Sequence, residues 1–77
     1  MKAIQYLGYT IRSYPRRLPK RGGWTIKISI SWQADGLAKV KEYSADSPFP
    51  LEAEADIHGI TFGQRIIDKK IPGLSLM

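Results

Sequence analysis

Trp24-Thr25-Ile26-Lys27-Ile28-Ser29-Ile30-Ser31-Trp32-Gln33 alternates a large apolar residue with a polar one at all ten positions. A period of two belongs to a β-strand with one face in a core and the other in water. The segment therefore predicts a strand over 24–33 that buries Trp24, Ile26, Ile28, Ile30 and Trp32. Thr25, Lys27, Ser29, Ser31 and Gln33 then face solvent. Ala34-Asp35-Gly36 follows, and Asp-Gly suits a tight hairpin turn because its central residues need positive φ. A strand over 37–44 is expected to return alongside, with Ala38 and Val40 inward and Lys39, Lys41 and Tyr43 on the wet face.

Working outward, residues 3–14 predict a strand in which a bulge at Leu7-Gly8 brings Ile4, Tyr6, Tyr9 and Ile11 to one face. That leaves Thr10, Arg12 and Tyr14 on the other. Pro15 removes a backbone donor and ends the strand, and 15–23 forms a long loop. Within it Arg16-Arg17-Leu18-Pro19-Lys20-Arg21-Gly22-Gly23 carries four cations in eight residues.

On the other side, Ser47-Pro48-Phe49-Pro50 breaks the chain and opens a helix over 50–70, since proline is tolerated in a first helical turn. Glu52, Glu54 and Asp56 complement the positive end of its dipole, and Lys69 and Lys70 the negative end. Projected as a helix, Ile57, Ile60, Ile67 and Ile71 form one apolar stripe and Leu51, Ala55, Phe62 and Ile66 another. Gly59 and Gly63 lie between the stripes. Each glycine costs about 1 kcal/mol against alanine, so the pair predicts a close crossing over Trp24, Ile28 or Trp32. Ile71-Pro72-Gly73 stops the helix, and the tail 72–77 offers Leu74-Ser75-Leu76 as a short fourth strand. The expected fold is α+β and two-layered: an antiparallel sheet of three to four strands in order 1-2-3, with one C-terminal helix on one face.

The 77 residues make one domain, 1–77. A chain this short withdraws only about 60 to 65% of its unfolded surface from water, which leaves little room for a buried cleft. Cysteine is absent, which excludes disulfides and thiolate metal sites and points to a reducing cytoplasm. No apolar run suits a secretion signal or the roughly 20 residues of a membrane span.

His58 is the only histidine and reads as a surface or boundary residue. The acids Glu52, Glu54 and Asp56 alternate across a helix and do not converge as a catalytic pair. No serine has a base beside it, and Gly59-Ile60-Thr61-Phe62-Gly63 lies inside the helix, where it cannot cradle phosphate. We expect no enzyme, no metal and no cofactor.

Charge is distributed unevenly. Residues 1–43 hold nine cations against Asp35 and Glu42, whereas residues 44–77 hold three cations against five anions. The predicted wet face with its loop gathers Arg12, Tyr14, Arg16, Arg17, Lys20, Arg21, Lys27, Lys39, Lys41 and Tyr43. Cations neutralise phosphates, hydroxyls bond phosphate oxygens and exposed rings stack unpaired bases, so these residues form a candidate nucleic-acid or polyanion surface. Lysine, serine and threonine also suit a solvated sheet face that merely keeps a protein soluble and its edges unpaired. The alternative reading is a protein-interaction or homodimeric assembly module that uses Phe49, Leu51, Phe62 and Ile66, since two apolar stripes exceed what a small sheet covers.

In layout, a sheet backed by helix resembles RNA-recognition and double-stranded-RNA-binding modules. The aromatic-and-glycine strands of the first are missing here, as are the first helix and Lys-rich second helix of the other. Gly8-Tyr9-x-Ile11, Gly22-Gly23-Trp24 and a single terminal helix resemble small bacterial and prophage-encoded single-domain proteins. That resemblance implies an accessory or regulatory role without catalytic residues.

Overall fold

A computed structural model describes residues 2–20 and 22–69, the side chains of 46 and 47 excepted. Five strands and one helix follow the chain: β1 Lys2–Tyr6, β2 Tyr9–Ser13, β3 Arg16–Arg17, β4 Trp24–Ala34, β5 Leu37–Phe49 and α1 Glu52–Ile67. All pairings are antiparallel. The path runs β1-β2-β4-β3, and β5 pairs with β4. The architecture is α+β with one C-terminal helix, as expected, but strand number and order differ from three to four strands in order 1-2-3.

The first difference lies at Leu7-Gly8, which is a hairpin turn and not a bulge. Tyr6 pairs with Tyr9, and Leu7 (φ 50°) and Gly8 (φ 84°) both take the positive φ of a two-residue turn. A leucine in this region is uncommon, so the residue type gives little warning. The predicted strand 3–14 is therefore two strands. The same turn geometry appears where Asp-Gly announces it, at Asp35 (φ 54°) and Gly36 (φ 76°).

The predicted loop 15–23 begins as strand. Ser13 pairs with Ile28, the Tyr14 N–H donates to the Lys27 carbonyl at 2.7 Å, and Arg16 pairs with Thr25 without any change of register. β2 and β3 are thus one line against β4, interrupted where Pro15 has no N–H to give. Turn hydrogen bonds from Leu18 N–H to Gly23 O and from Gly22 N–H to Leu18 O close the remainder.

β5 continues to Phe49, past the expected end at 44. A register shift between Trp24 and Ile26 lets it absorb extra residues around Pro48, which is where a strand tolerates proline. Because Asp35-Gly36 is a two-residue turn, Ala34 pairs with Leu37, and Ile28, Ile30 and Trp32 pair with Tyr43, Lys41 and Lys39. Cross-strand partners share a face. Lys39, Lys41 and Tyr43 consequently lie on the isoleucine side, whereas Ala38 and Val40 lie on the other, the reverse of the expectation. Val40 is 64% exposed.

The helix starts at Glu52 and ends at Ile67, shorter than 50–70, so Pro50 precedes its first turn. Leu51 caps it without a side-chain hydrogen bond, and Glu52 and Glu54 supply the acidic first turn. It ends as Lys69 turns left-handed (φ 59°), with its N–H bonded to Ile66 O and the Asp68 N–H to Gln64 O. Lys70, Ile71, the Pro72-Gly73 stop, the tail 72–77 and Arg21 lie outside the described residues. No helix among the described residues is long and apolar enough to cross a membrane.

One core joins the layers: Ile11, Ile26, Ile28 and Ile30 from the sheet with Ala55, Ile60 and Ile66 from the helix. Trp24 and Trp32 are half-buried on the isoleucine side. Gly59 and Gly63 make the contact close. A methyl on Gly63 falls 2.8 Å from Ile11 Cγ2 and 3.1 Å from Ile28 Cδ1, and one on Gly59 falls 3.2 Å from both Ile28 Cγ2 and Ser13 Oγ. The crossing is therefore over Ile11 and Ile28 and not over either tryptophan. Of the predicted stripes, Ile57 (54% exposed) and Leu51 (60%) remain outside.

The Tyr6 hydroxyl donates to Asp68, at 2.8 Å to Oδ2 and 3.0 Å to Oδ1, and ties the helix end to β1. This bond, with desolvation and the nearby negative charge, raises the Tyr6 pKa above the ordinary tyrosine value. Burial raises that of Tyr43 as well. As pH climbs past about 10 the unfolded tyrosines lose protons before the folded ones, so the stabilisation, complete below that pH, is lost above it. We expect the urea midpoint to fall between about pH 8 and about pH 10.5, and to fall less in Tyr6→Phe. Equal falls in both proteins contradict the Tyr6-Asp68 assignment.

Candidate nucleic-acid interface

The sheet has one face under the helix and one without it. On the helix-free face, alternation and register place Thr10, Arg12, Tyr14 and Arg16 along the β2-β3 line, beside Ser31, Ser29, Lys27 and Thr25 of β4. Side chains on one face of a strand recur about every 6.6 Å, and neighbouring strands lie about 4.8 Å apart. Arg12, Arg16 and Lys27 thus form a narrow cationic strip with Tyr14 in its midst. Arg12 and Arg16 are exposed, Lys27 is half-buried and Tyr14 is 40% exposed.

Of the β4 hydroxyls expected in water, Ser31 and Thr25 are half-buried and Ser29, between Arg12 and Glu42, is buried at 6% exposure. Arg12 Nη1 donates to Ser31 Oγ at 3.3 Å, an exposed bond that points the guanidinium along the face. The Thr25 hydroxyl is engaged by the Ala45 carbonyl. Across β4, Ser29 pairs with Glu42, so the acid stands one strand beyond the cations. Past Arg12 the face opens into a hollow of about 320 Å³ lined by Gly8, Thr10, Ser31, Trp32, Gln33 and Ala38.

Of the predicted surface, Arg12, Tyr14, Arg16 and Lys27 come together. Arg17 pairs with Trp24 and so belongs to the helix side, and Lys20 is exposed in the turn beyond β3. Lys39, Lys41 and Tyr43 lie on the opposite face, Tyr43 packed against the core, which breaks the single basic surface into two. The molecule extends 43 Å, while a 16-residue helix spans about 24 Å, so the β4-β5 ribbon outruns its cover. The helix-side lysines at 39 and 41 are accordingly exposed.

The predicted assembly surface is not assembled. Ile66 is 1% exposed, Phe62 packs against the core, and Phe49 stacks on His58 with ring centroids 4.6 Å apart and planes 12° from parallel. Only Leu51 of the four is free of the core, because the helix seats on the sheet at its glycines and brings Ile60 of one stripe and Ala55, Phe62 and Ile66 of the other down beside them.

The hollow has no signature in the sequence beyond the odd parity that sets Gln33 on the same face of β4 as Lys27 and Ser31. Among the described residues no group of His, Asp and Glu is placed to hold a metal. Comparison with family models, with curated proteins and with solved structures finds no match.

Proposed function

We propose that this chain is a small non-enzymatic binding module that takes polyanions, nucleic acid above all, on the helix-free face of its sheet. One observation carries the reading: the unbroken register of β2 and β3 against β4 lines up exposed Arg12 and Arg16 with half-buried Lys27 on one face, beside the hydroxyls of Thr10 and Ser31. Guanidinium and ammonium groups neutralise phosphate and release its counterions, and serine and threonine hydroxyls donate to phosphate oxygens. The chain's excess of cations steers such ligands to it, and its lack of cysteine fits a reducing, cytoplasmic setting.

Three phosphates neutralised correspond to a log-log salt slope of about −2 on single strands and about −2.7 on duplex. Affinity for a labelled oligonucleotide, read by fluorescence anisotropy, is therefore expected to fall roughly 20- to 40-fold between about 50 and 200 mM salt. A flat profile, or no binding at the lower salt, overturns the reading.

A further inference from the structure

Resting on the polyanion reading of this face, we propose that its ligand is single-stranded nucleic acid, held with a base laid on the ring of Tyr14. The other aromatic side chains are directed elsewhere. Tyr6, Tyr9, Trp32, Tyr43, Phe49 and Phe62 pack against the core, and Trp24 shares its side of β4 with Ile26. Tyr14 alone presents a ring to the helix-free face, 40% exposed.

Its surroundings suit a nucleotide. Arg12 and Arg16 flank it on its own line, each about 6.6 Å away, and Lys27 stands across the ladder from it. A base stacked on the ring thus has Arg16 and Lys27 beside it for its phosphates, and Arg12, turned toward Ser31, stands toward the next nucleotide. Aromatic stacking accepts any base, while the cations follow the backbone. Beyond Arg12 the 320 Å³ hollow offers the hydroxyls of Thr10 and Ser31 and the amide of Gln33, groups suited to the edge of a neighbouring unpaired base.

A duplex cannot use these features. Its bases are stacked on one another and show no face to a ring, and reading the major groove takes a helix or ribbon that enters it. The Tyr14 strip lies on the sheet surface, on β2, β3 and β4, and among the described residues no helix is set on that face to carry Tyr14 into a groove. The duplex is left with phosphate contacts alone.

The test uses the full chain with fluorescein-labelled oligothymidylate of roughly 12 nucleotides and the corresponding duplex at about 50 mM salt. The single strand is expected to bind at least about tenfold tighter. Tyr14→Leu is expected to lower single-strand affinity about tenfold while leaving duplex affinity and the salt slope unchanged, and Tyr14→Phe to retain it. Circular dichroism identical to the parent certifies both variants as folded. Equal affinity for the two forms, or an unchanged single-strand affinity in Tyr14→Leu, overturns this inference and leaves the polyanion reading standing. Absence of binding to either form removes both.

Discussion

Ile28→Ala is expected to cost about 3 to 5 kcal/mol, the upper part of the range for truncating a buried isoleucine. A domain of this length has roughly 4 to 12 kcal/mol in all, so the variant is expected to be largely unfolded at moderate urea. The reason lies above the residue. Ile28 is fully buried, and its Cγ2 and Cδ1 atoms lie against Gly59 and Gly63. Cavity cost depends on whether neighbours can collapse into the void, and two glycines bring no side chain to do so.

The same geometry predicts a rescue. A methyl at position 59 meets Ile28 Cγ2 and Ser13 Oγ at 3.2 Å and Ile26 Cγ2 at 3.6 Å. In the parent, that crowding opposes the gain of about 1 kcal/mol in helix propensity. Without Cγ2 the crowding eases and the propensity gain remains. Gly59→Ala is therefore expected to be near neutral alone and to restore about 1 kcal/mol or more beside Ile28→Ala, a coupling between touching residues. Urea titration followed by fluorescence of Trp24 and Trp32 reads all four proteins. A loss below about 1 kcal/mol in Ile28→Ala, or the same effect of Gly59→Ala in both backgrounds, contradicts the proposed helix crossing.

That crossing was legible because glycines four apart in an apolar helix have few other uses, and the central strand because ten alternating residues leave no second register. Position 7 was not legible: a leucine at positive φ disguises a turn as a bulge. The fate of Lys39 and Lys41 was concealed differently. Their side chains suit water on either face, so polarity does not choose between faces, and the choice falls to turn length. With Asp35-Gly36 as the whole turn, Ala34 must face Leu37, and every odd residue from 37 to 45 joins the isoleucine side. Exposure at the uncovered end of the ribbon lets two lysines accept a face that would be a core nearer the helix. At the other end, Pro15 correctly marked an interruption, but β4 continues to organise the chain on both sides of it.

Those facing relations divide the cations in a way net charge cannot. Arg12→Glu with Arg16→Glu, and Lys39→Glu with Lys41→Glu, alter the formal charge of the chain equally, and all four side chains are exposed. If binding followed overall charge, both pairs would suffer alike. Because the first pair stands in the strip beside Tyr14, it both removes two phosphate contacts and adds two repulsive carboxylates. The second pair acts through the thickness of the sheet, where at about 0.1 M salt the screening length is near 10 Å.

Anisotropy titrations of the parent and both charge-reversed pairs, with one labelled single strand at about 100 mM salt, put the claim to the test. The helix-free strip predicts a loss of about 100-fold or more for the Arg12 and Arg16 pair and less than about threefold for the Lys39 and Lys41 pair, with thermal midpoints close to the parent's. Equal losses, or a larger loss from the lysine pair, would contradict it.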